Sequence, residues 1–238
     1  MNDDNDNDND NNSFGINQNE NQNHAVIVLA SGLSQRLGQS KQLLTKNSEP
    51  LIKYMVELAL GSQAKKVIVV IPENNLAISS IVDKLAQQKS IIQTVVNPNS
   101  ESGMAQSLSL AIEALTNSQN LAIDRVLIMG VDQALLDFRH LQQLLIKDNT
   151  VVASSYPHLE DNFATNNTKE NIVGLPIAID YKLLKKWQTQ LSGDKGLRHL
   201  IRALPVEHIS TVINSQLSYD IDTPQQLAYA QQQGWLDH

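Results

Sequence analysis

Short apolar runs rich in valine and isoleucine recur along this chain, and they alternate with longer segments of a different pattern. The runs lie at 24–30, 66–71, 91–96, 125–131 and 150–155. Such runs are typical of strands that are buried on both faces. In the longer segments, apolar residues repeat at three- and four-residue spacing, which predicts helices. We therefore predict an α/β fold with a mainly parallel sheet between two layers of helices, a Rossmann-like three-layer α/β/α arrangement.

The chain divides into two parts of different composition. Residues 1–23 consist mainly of Asn, Asp and Gln and offer almost nothing to bury, which predicts a disordered tail. Residues 24–238 are long enough for one sizeable core, and we predict a single domain there. Six of the 25 acidic residues lie in the tail, so the remaining 19 nearly balance the 18 Lys and Arg. Because a nearly neutral domain does not attract a polyanion, we expect no nucleic-acid partner.

Several common features are missing from the sequence. The chain has no cysteine, which excludes disulfides, thiolate metal sites and thiol nucleophiles. The first residues are acidic and polar, unlike a signal peptide, and no apolar run approaches the ~20 residues that cross a bilayer. We therefore expect a cytoplasmic protein without membrane contact. The six histidines show no metal-ligand spacing, and no serine lies in a G-x-S-x-G elbow.

A glycine-containing loop follows the first predicted strand. Gly32 and Gly38 give it flexible backbone, and Arg36 and Lys41 give it positive charge. Parallel α/β sheets bind ligands beyond the carboxyl ends of their strands, and such a loop can surround phosphate oxygens with amides and cations. The spacing fits neither G-x-x-x-x-G-K-[ST] nor G-x-G-x-x-G. The alternative is an ordinary turn with a solvated Arg and Lys.

Carboxylates from two distant segments are candidate metal ligands. Asp132 ends the fourth predicted strand, where it either faces the ligand edge or caps the next helix. Thr223 and Gln226 form a capping box around a proline, so the last helix starts without help from the aspartates before it. Asp220 and Asp222 stand two apart on extended chain and point to the same side. Such oxygen ligands suit Mg²⁺, which we expect them to hold with Asp132.

A third candidate segment connects the third strand to its helix. It runs from Asn97 into a predicted helix whose first turn contains Gly103 and Ser107. The amino terminus of a helix favours phosphate because its amides are unpaired and its dipole is positive there. The alternative is an ordinary helix start.

The remainder of the chain is less regular. A polar segment at 156–174 is too long for a simple connection and predicts a lid or substrate loop. A strand at 174–180 follows, then helices near 182–191 and 197–204 and a last helix from Pro224. Between them a turn carries Asp194, Lys195 and Arg198, either as ligand contacts or as a solvated turn.

With these pieces in order, the chain resembles the molybdopterin nucleotidyltransferases, and most closely the molybdenum cofactor cytidylyltransferases. We match LASGLSQRLGQSK to that family's LAxGxxxRxGxxK, SGMAQSL to its GMxxSL, and VDQALL to its GDQPLL. We further match GLPIAI to GxPxxF, GDKGLR to GDKGxR, and DIDTPQQL to DIDTPxDL. The six motifs occur in family order from residue 29 to residue 227, and six in sequence are specific where one is weak.

The resemblance implies the nucleotidyltransferase form of this fold and a reaction. A nucleoside monophosphate passes from a nucleoside triphosphate to the terminal phosphate of molybdopterin, and pyrophosphate leaves. The resemblance places Arg36 and Lys41 on the triphosphate as catalytic residues together with Asp132. It assigns Mg²⁺ to Asp132 and Asp222. It assigns the base and sugar to Leu29, Ala30, Ser31 and Gly32, and the nucleotide or pterin side to Asn97, Gly103 and Ser107.

The chain departs from the family pattern at two motifs. Val131 stands where the family has Gly and Ala134 where it has Pro, so we expect the loop that presents Asp132 to differ in shape. Ala178 and Ile179 lack the aromatic residue that follows GxP in the family. These departures bear on the acceptor and on the level of activity.

The base and the acceptor have alternatives. The family's cytidine members tend to have LAAG and its guanosine members LAGG; Ser31, which is small but not glycine, favours CTP over GTP. The acceptor is molybdopterin or another phosphorylated small molecule: a phosphosugar, a methylerythritol phosphate or a phospholactate. In the third alternative the chain binds nucleotide without turnover and delivers cofactor to a molybdoenzyme or its chaperone.

Overall fold

The computed structural model describes residues 23–118, 121–157, 171–193 and 196–238. Within them, strands span His24–Leu29 (β1), Thr45–Lys46 (β2), Glu49–Pro50 (β3), Lys66–Pro72 (β4), Ile92–Asn97 (β5), Arg125–Gly130 (β6), Val151–Tyr156 (β7), Ile172–Asp180 (β8) and Ile209–Ile213 (β9). The α-helices span Leu51–Gly61 (α1), Leu76–Gln88 (α2), Met104–Asn117 (α3), Phe138–Ile146 (α4), Tyr181–Trp187 (α5), Arg198–Arg202 (α6) and Pro224–Gln232 (α7). The predicted tail, apart from Asn23, and most of the predicted loop at 156–174 lie outside the described residues.

Seven strands form one sheet in the order β5-β4-β1-β6-β8-β7-β9. The β1, β4, β5 and β6 strands pair in parallel, as do β7 and β9. β8 runs antiparallel to both of its neighbours, β6 and β7. The expectation of a mainly parallel sheet is therefore confirmed, with β8 as its one reversed strand.

Alternate residues of the central strands enter two separate cores, which is why these strands are apolar throughout. In β1, Val26 and Val28 pack on the face covered by α1, α2, α4 and α7. Ala25 and Ile27 pack on the opposite face, against α3, α5 and α6. All four side chains are fully buried. The predicted three-layer α/β/α arrangement is confirmed.

Three short strands escaped sequence prediction. β9 is an edge strand in which only Val212 is buried, and Ile213 at its end is 74% exposed, so it lacks the apolar run of the central strands. β2 and β3 form a two-residue antiparallel hairpin, too short for a periodic signal. None of the described helices is both long and apolar enough to cross a membrane.

Candidate functional site

The glycine-containing loop and Asp132 meet at the carboxyl edge of the sheet. β1 lies between β4 and β6, so the segments that leave β1 and β6 emerge side by side. The Val131 amide donates a 3.2 Å hydrogen bond to the Leu29 carbonyl, which continues this pairing beyond β6. A cavity of about 230 Å³ opens at this edge. Its walls include seven residues that the sequence predicted: Leu29, Ser31, Gly32, Lys41, Gly103, Ser107 and Asp132.

Gln42 fixes the first part of the glycine loop through two hydrogen bonds to its backbone. Its side chain is 1% exposed, and its Nε2 donates hydrogen bonds of 2.7 Å to the Ala30 carbonyl and 2.8 Å to the Gly32 carbonyl. With two carbonyls turned toward Gln42, the loop has a fixed backbone course along the cavity. Ala30, which the resemblance placed on the nucleotide, is itself fully buried.

A buried hydrogen-bond chain joins the glycine loop to α3. The hydroxyls of Ser31 and Ser107 lie 2.6 Å apart, and Asn97 Nδ2 donates a 2.9 Å hydrogen bond to the Ser107 hydroxyl. All three side chains are buried, and Asn97 Oδ1 accepts a hydrogen bond from the Asn99 amide. The predicted residue Asn97 therefore lies behind Ser107 and orients it, while Ser31 and Ser107 form the cavity wall.

Two cations and two carboxylates form the charged part of the site. Lys41 Nζ lies 3.3 Å from Asp132 Oδ2 and also contacts Asp222 Oδ1. Arg36 contacts the second oxygen of Asp222. The Lys41 side chain is 11% exposed, whereas that of Arg36 is 73% exposed. Lys41 is thus a buried bridge between segments 91 and 181 residues away, and not the solvated lysine of an ordinary turn.

These contacts fix the charges at neutral pH. Burial opposes the charged form of Lys41, but the charge of Asp132 and the hydrogen bond to Asp222 outweigh it and raise the Lys41 pKa. Burial also opposes ionisation of Asp222, but Lys41 and then Arg36 outweigh it and lower the Asp222 pKa. The ammonium and the Asp222 carboxylate are therefore both ionised.

Asp220 lies beside this pair without an ion-pair contact of its own among the described residues. Loss of water around the Asp220 carboxyl, together with the neighbouring charges of Asp132 and Asp222, raises the pKa of Asp220 to about 6, although part of the residue is exposed to solvent. Burial of the Tyr156 hydroxyl, together with the negative charges of Asp220 and Asp132, raises the pKa of Tyr156 to about 12. The structure thus brings Asp132 and Asp222 together on one ammonium, whereas Asp220, which we expected to share a cation with them, forms no metal-binding group of three with them in the described part of the chain.

Helix capping sets the position of Asp222. The Thr223 hydroxyl accepts a hydrogen bond from the Gln226 amide, and Gln226 Oε1 accepts from the backbone amides of both Thr223 and Asp222. The predicted capping box is therefore confirmed, and it fixes the backbone of Asp222 as well. Asp132 does not cap α4, because the Asp137 side chain accepts the hydrogen bond from the His140 amide there.

Glycine precedes Asp132 by two residues, and the structure gives the reason. A Cβ at Gly130 would lie 2.7 Å from Asp132 Oδ1, so the absence of a side chain there leaves room for the carboxylate in its present position. Val131, which departs from the family motif, has no positive φ and is buried in the cavity wall. The room for the carboxylate therefore comes from Gly130.

The loop after Asp132 is held from the side by the β2–β3 hairpin and α1. Lys46 Nζ donates a 2.6 Å hydrogen bond to the Ala134 carbonyl, and the Tyr54 hydroxyl donates a 2.9 Å hydrogen bond to the Leu136 carbonyl. These bonds restrain the loop at the position where the family has proline. Ala178 and Ile179, which lack the aromatic residue that follows GxP in the family, are fully buried in β8. Ala178 packs in one of the two cores and Ile179 in the other.

Sequence reasoning missed four residues that position the site: Gln42, Lys46, Tyr54 and Gln133. Gln133 Oε1 accepts a 3.3 Å hydrogen bond from the Gly130 amide, and its Nε2 donates a 2.7 Å bond to the Leu175 carbonyl of β8. The sequence offered one indication of two of these residues: Gln42 directly follows Lys41, and Gln133 directly follows Asp132. In the turn at 193–196, Asp194 and Lys195 lie outside the described residues, and Arg198 begins α6.

The two carboxylates suit a divalent cation that also binds its substrate. The described residues contain no group of three or more His, Cys, Asp or Glu side chains able to hold a metal alone. Mg²⁺ is commonly bound by one or two carboxylates plus substrate phosphates, and not by an all-protein cage. Lys41 already holds a positive charge between Asp132 and Asp222, so these oxygens do converge on one cation. The donor set therefore fits Mg²⁺.

Comparison with known proteins gives the family. Residues 26–209 match the MobA-like NTP transferase domain, which covers the glycine loop, Asp132 and the strands around them. The chain belongs to the MobA-like NTP transferase family. It is thus a member of a family of nucleotidyltransferases, and the first part of the sequence expectation is confirmed. No curated protein matched the sequence significantly.

Solved structures share the fold of this MobA-like protein at low sequence identity. Rv0371c from Mycobacterium tuberculosis H37Rv is 19% identical with a TM-score of 0.66, over 89% of this chain and 99% of that one. A nucleotidyl transferase from Methanothermobacter is 17% identical with a TM-score of 0.67, over 89% and 97%. The 4-diphosphocytidyl-2C-methyl-D-erythritol synthase of Anaerococcus prevotii is 13% identical with a TM-score of 0.60, over 90% and 99%.

Proposed function

We propose that this protein transfers CMP from CTP to the terminal phosphate of molybdopterin or molybdenum cofactor and releases pyrophosphate, with Mg²⁺ as cofactor. The observation that carries the proposal is the Lys41 ammonium between Asp132 and Asp222, in the wall of a cavity bounded by the glycine loop. Two carboxylates can hold a divalent cation that neutralises phosphate oxygens, and an ammonium beside them can neutralise further phosphate charge. The identity of the acceptor is inferred from the six family motifs.

The glycine loop and α3 receive the nucleoside in this proposal. Leu29, Ser31, Gly32, Gly103 and Ser107 line the cavity, and the Ser31–Ser107 hydrogen bond closes one side of it. Ser31 adds a hydroxyl where guanosine members of the family have glycine. We therefore retain CTP as the donor, with GTP as the alternative that the experiment tests.

The triphosphate lies against the two cations. Lys41 and Arg36 offset its negative charge, and Lys41 reaches the cavity from a buried position that fixes its geometry. An oxygen of the acceptor phosphate forms a bond to the α-phosphorus as the bond to the pyrophosphate oxygen breaks, so the protein needs mainly to align and neutralise. Asp132 and Asp222 would hold Mg²⁺, which when bound neutralises charge on the phosphate oxygens.

The acceptor rests on the six sequence motifs. The likeness to a 4-diphosphocytidyl-2C-methyl-D-erythritol synthase concerns the fold alone, so a methylerythritol phosphate, a phosphosugar or a phospholactate stays an alternative acceptor. A nucleotide-binding accessory protein that serves a molybdoenzyme or its chaperone without turnover is the other alternative. Formation of pyrophosphate separates the last alternative from all the others.

The test is pyrophosphate release with CTP, GTP and ATP in parallel, each against molybdopterin and molybdenum cofactor. We expect release with CTP, and a loss of at least about 10²-fold in Asp132→Ala because charge stabilisation in the transition state is removed. Asp148→Ala is the matched control, since Asp148 is exposed and lies beside the start of β6, at the edge of the sheet opposite the site. Binding of CTP without pyrophosphate from any phosphorylated acceptor overturns the catalytic proposal, and preference for GTP overturns only the base.

A further inference from the structure

Lys41 occupies the position between the two carboxylates in the ligand-free protein. Its ammonium contacts Asp222 and lies 3.3 Å from Asp132, and its side chain is 11% exposed. The three residues come from the segments after β1, after β6 and before α7, so the bridge joins three separate parts of the chain. No other described lysine bridges two carboxylates from distant segments: Lys53 contacts Glu49 of β3 and Glu57 of α1, each four residues away in the sequence.

An ammonium and a divalent cation compete for these oxygens. Both interact with carboxylate oxygens, and Lys41 already satisfies one oxygen of each aspartate. A cation that enters between Asp132 and Asp222 without nucleotide must therefore displace a buried ammonium and leave it without its partners. That displacement is costly because a buried charge that loses its partners keeps its desolvation penalty.

Arg36 does not impose the same barrier. It contacts the other oxygen of Asp222, and its side chain is 73% exposed, so water can replace its partner when it moves. The Lys41 side chain is only 11% exposed, so water replaces its partners much less readily. A triphosphate in the cavity changes this balance, because its oxygens are alternative partners for the Lys41 ammonium.

We propose that Lys41 stands in for the metal in the nucleotide-free protein, and that the triphosphate draws Lys41 off the two carboxylates and so makes them available to the divalent cation. Binding of the cation is then conditional on the nucleotide. This inference rests on the proposed function for the identity of the triphosphate, but the ion bridge itself is a property of the free chain.

Thermodynamic linkage makes the proposal measurable. If CTP increases the affinity for the cation by some factor, the cation increases the affinity for CTP by the same factor. Part of that factor arises from phosphate oxygens that bind the cation directly. The other part arises because CTP removes Lys41 from the carboxylates. A variant without the ammonium lacks this second part, so CTP increases its affinity for the cation by a smaller factor.

The experiment is a Mn²⁺ titration of the full chain, followed by electron paramagnetic resonance, with and without CTP. Lys41→Met removes the ammonium, and Lys41→Arg keeps a cation at the same position. Lys53→Met is the matched control: Lys53 also contacts two carboxylates, those of Glu49 and Glu57, but these side chains are 48% and 53% exposed, so the substitution removes no buried ammonium. Thermal unfolding verifies that each variant is folded, and Lys41→Gln replaces Lys41→Met if the latter is not.

We expect weak Mn²⁺ binding by the natural chain without CTP and binding at least about tenfold tighter by Lys41→Met, from the loss of charged hydrogen bonds that the metal otherwise breaks. Lys41→Arg and Lys53→Met should resemble the natural chain, and the enhancement by CTP should shrink in Lys41→Met. Equal Mn²⁺ affinity of the natural chain and Lys41→Met without CTP overturns the inference, as does absence of Mn²⁺ binding in every sample.

Failure of the proposed function gives a different pattern. Mn²⁺ titrations need no acceptor and no turnover, so tighter binding by Lys41→Met supports the ion bridge even if no pyrophosphate forms. Pyrophosphate release together with unchanged Mn²⁺ affinities supports the reaction and overturns the role of Lys41 as a stand-in for the metal.

Discussion

Replacement of Gln42 by glutamate tests how the glycine loop is held. The Gln42 side chain is 1% exposed, and its amide donates two hydrogen bonds, of 2.7 Å to the Ala30 carbonyl and 2.8 Å to the Gly32 carbonyl. Gln42→Glu keeps the size and shape of the side chain but removes both N–H donors. It also turns a carboxyl oxygen toward two carbonyl oxygens.

The cost follows from the number of bonds and their burial. Two lost hydrogen bonds cost about 1 kcal/mol each, and the buried Ala30 carbonyl adds about 1–3 kcal/mol when it is left unpaired. The Gly32 carbonyl is partly exposed and can accept a hydrogen bond from water instead. We therefore expect the free energy of unfolding to fall by about 3–5 kcal/mol at neutral pH.

The loss should depend on pH. Burial beside carbonyl oxygens disfavours the ionised glutamate, so its pKa in the folded chain lies above the unfolded value of about 4.3. Below about 4.3 the protonated carboxyl donates one O–H bond and the loss is smallest; as pH rises through the folded pKa the full loss develops.

Urea unfolding at several pH values measures this effect, and Gln88→Glu is the control because it makes the same charge change on an exposed position of α2. Gln88→Glu should stay near the natural chain throughout. A Gln42→Glu variant as stable as Gln88→Glu at neutral pH would refute the hydrogen-bond assignment. Nucleotide affinity should fall together with stability, since the same carbonyls set the course of the loop.

Three further predictions concern single positions. Gly130→Ala should suppress pyrophosphate release while the chain stays folded, since its Cβ would lie 2.7 Å from Asp132 Oδ1. Gly174→Ala should lower the free energy of unfolding by about 1–3 kcal/mol, and Tyr156→Phe in the same chain should restore part of it, because the new Cβ would lie 2.8 Å from the Tyr156 hydroxyl. Burial lowers the His140 pKa, so unfolding takes up a proton below the ordinary value of 6.5 and stability falls there; urea titrations of His140→Gln should show a flatter pH dependence.

Most of the fold was predictable because its strands are buried on both faces. A run such as that of β1 has no polar residue to interrupt it, so its burial and its strand character follow from one pattern. β9 was missed for the opposite reason: it is an edge strand in which Val212 alone is buried, and its sequence carries no continuous apolar run. Edge strands give a weaker signal because half of their pairing and much of their surface face solvent.

The candidate site was predictable where motif and topology agree. The sequence predicts that Lys41 and Asp132 each follow a strand of a mainly parallel sheet, and the carboxyl ends of such strands share one edge. The structure adds that these strands, β1 and β6, are neighbours, which is why the two residues meet. Gln42 and Lys46 were not predictable in this way, because their role depends on which carbonyl oxygens they meet across the fold. A backbone acceptor leaves no trace in the sequence, so such partners require coordinates.

At the two positions where the Asp132 motif departs from the family pattern, other residues of this chain determine the room and the course of the loop. Glycine directly before the aspartate is replaced by Val131, yet Gly130 provides the space that the Asp132 carboxylate needs. Proline after it is replaced by Ala134, yet Lys46 bonds the Ala134 carbonyl and restrains the same loop. In both cases a feature of this chain, free space at Gly130 or the Lys46 hydrogen bond, acts on the loop that carries Asp132. Because what chemistry requires is the position of the carboxylate, the altered motif is compatible with an intact site.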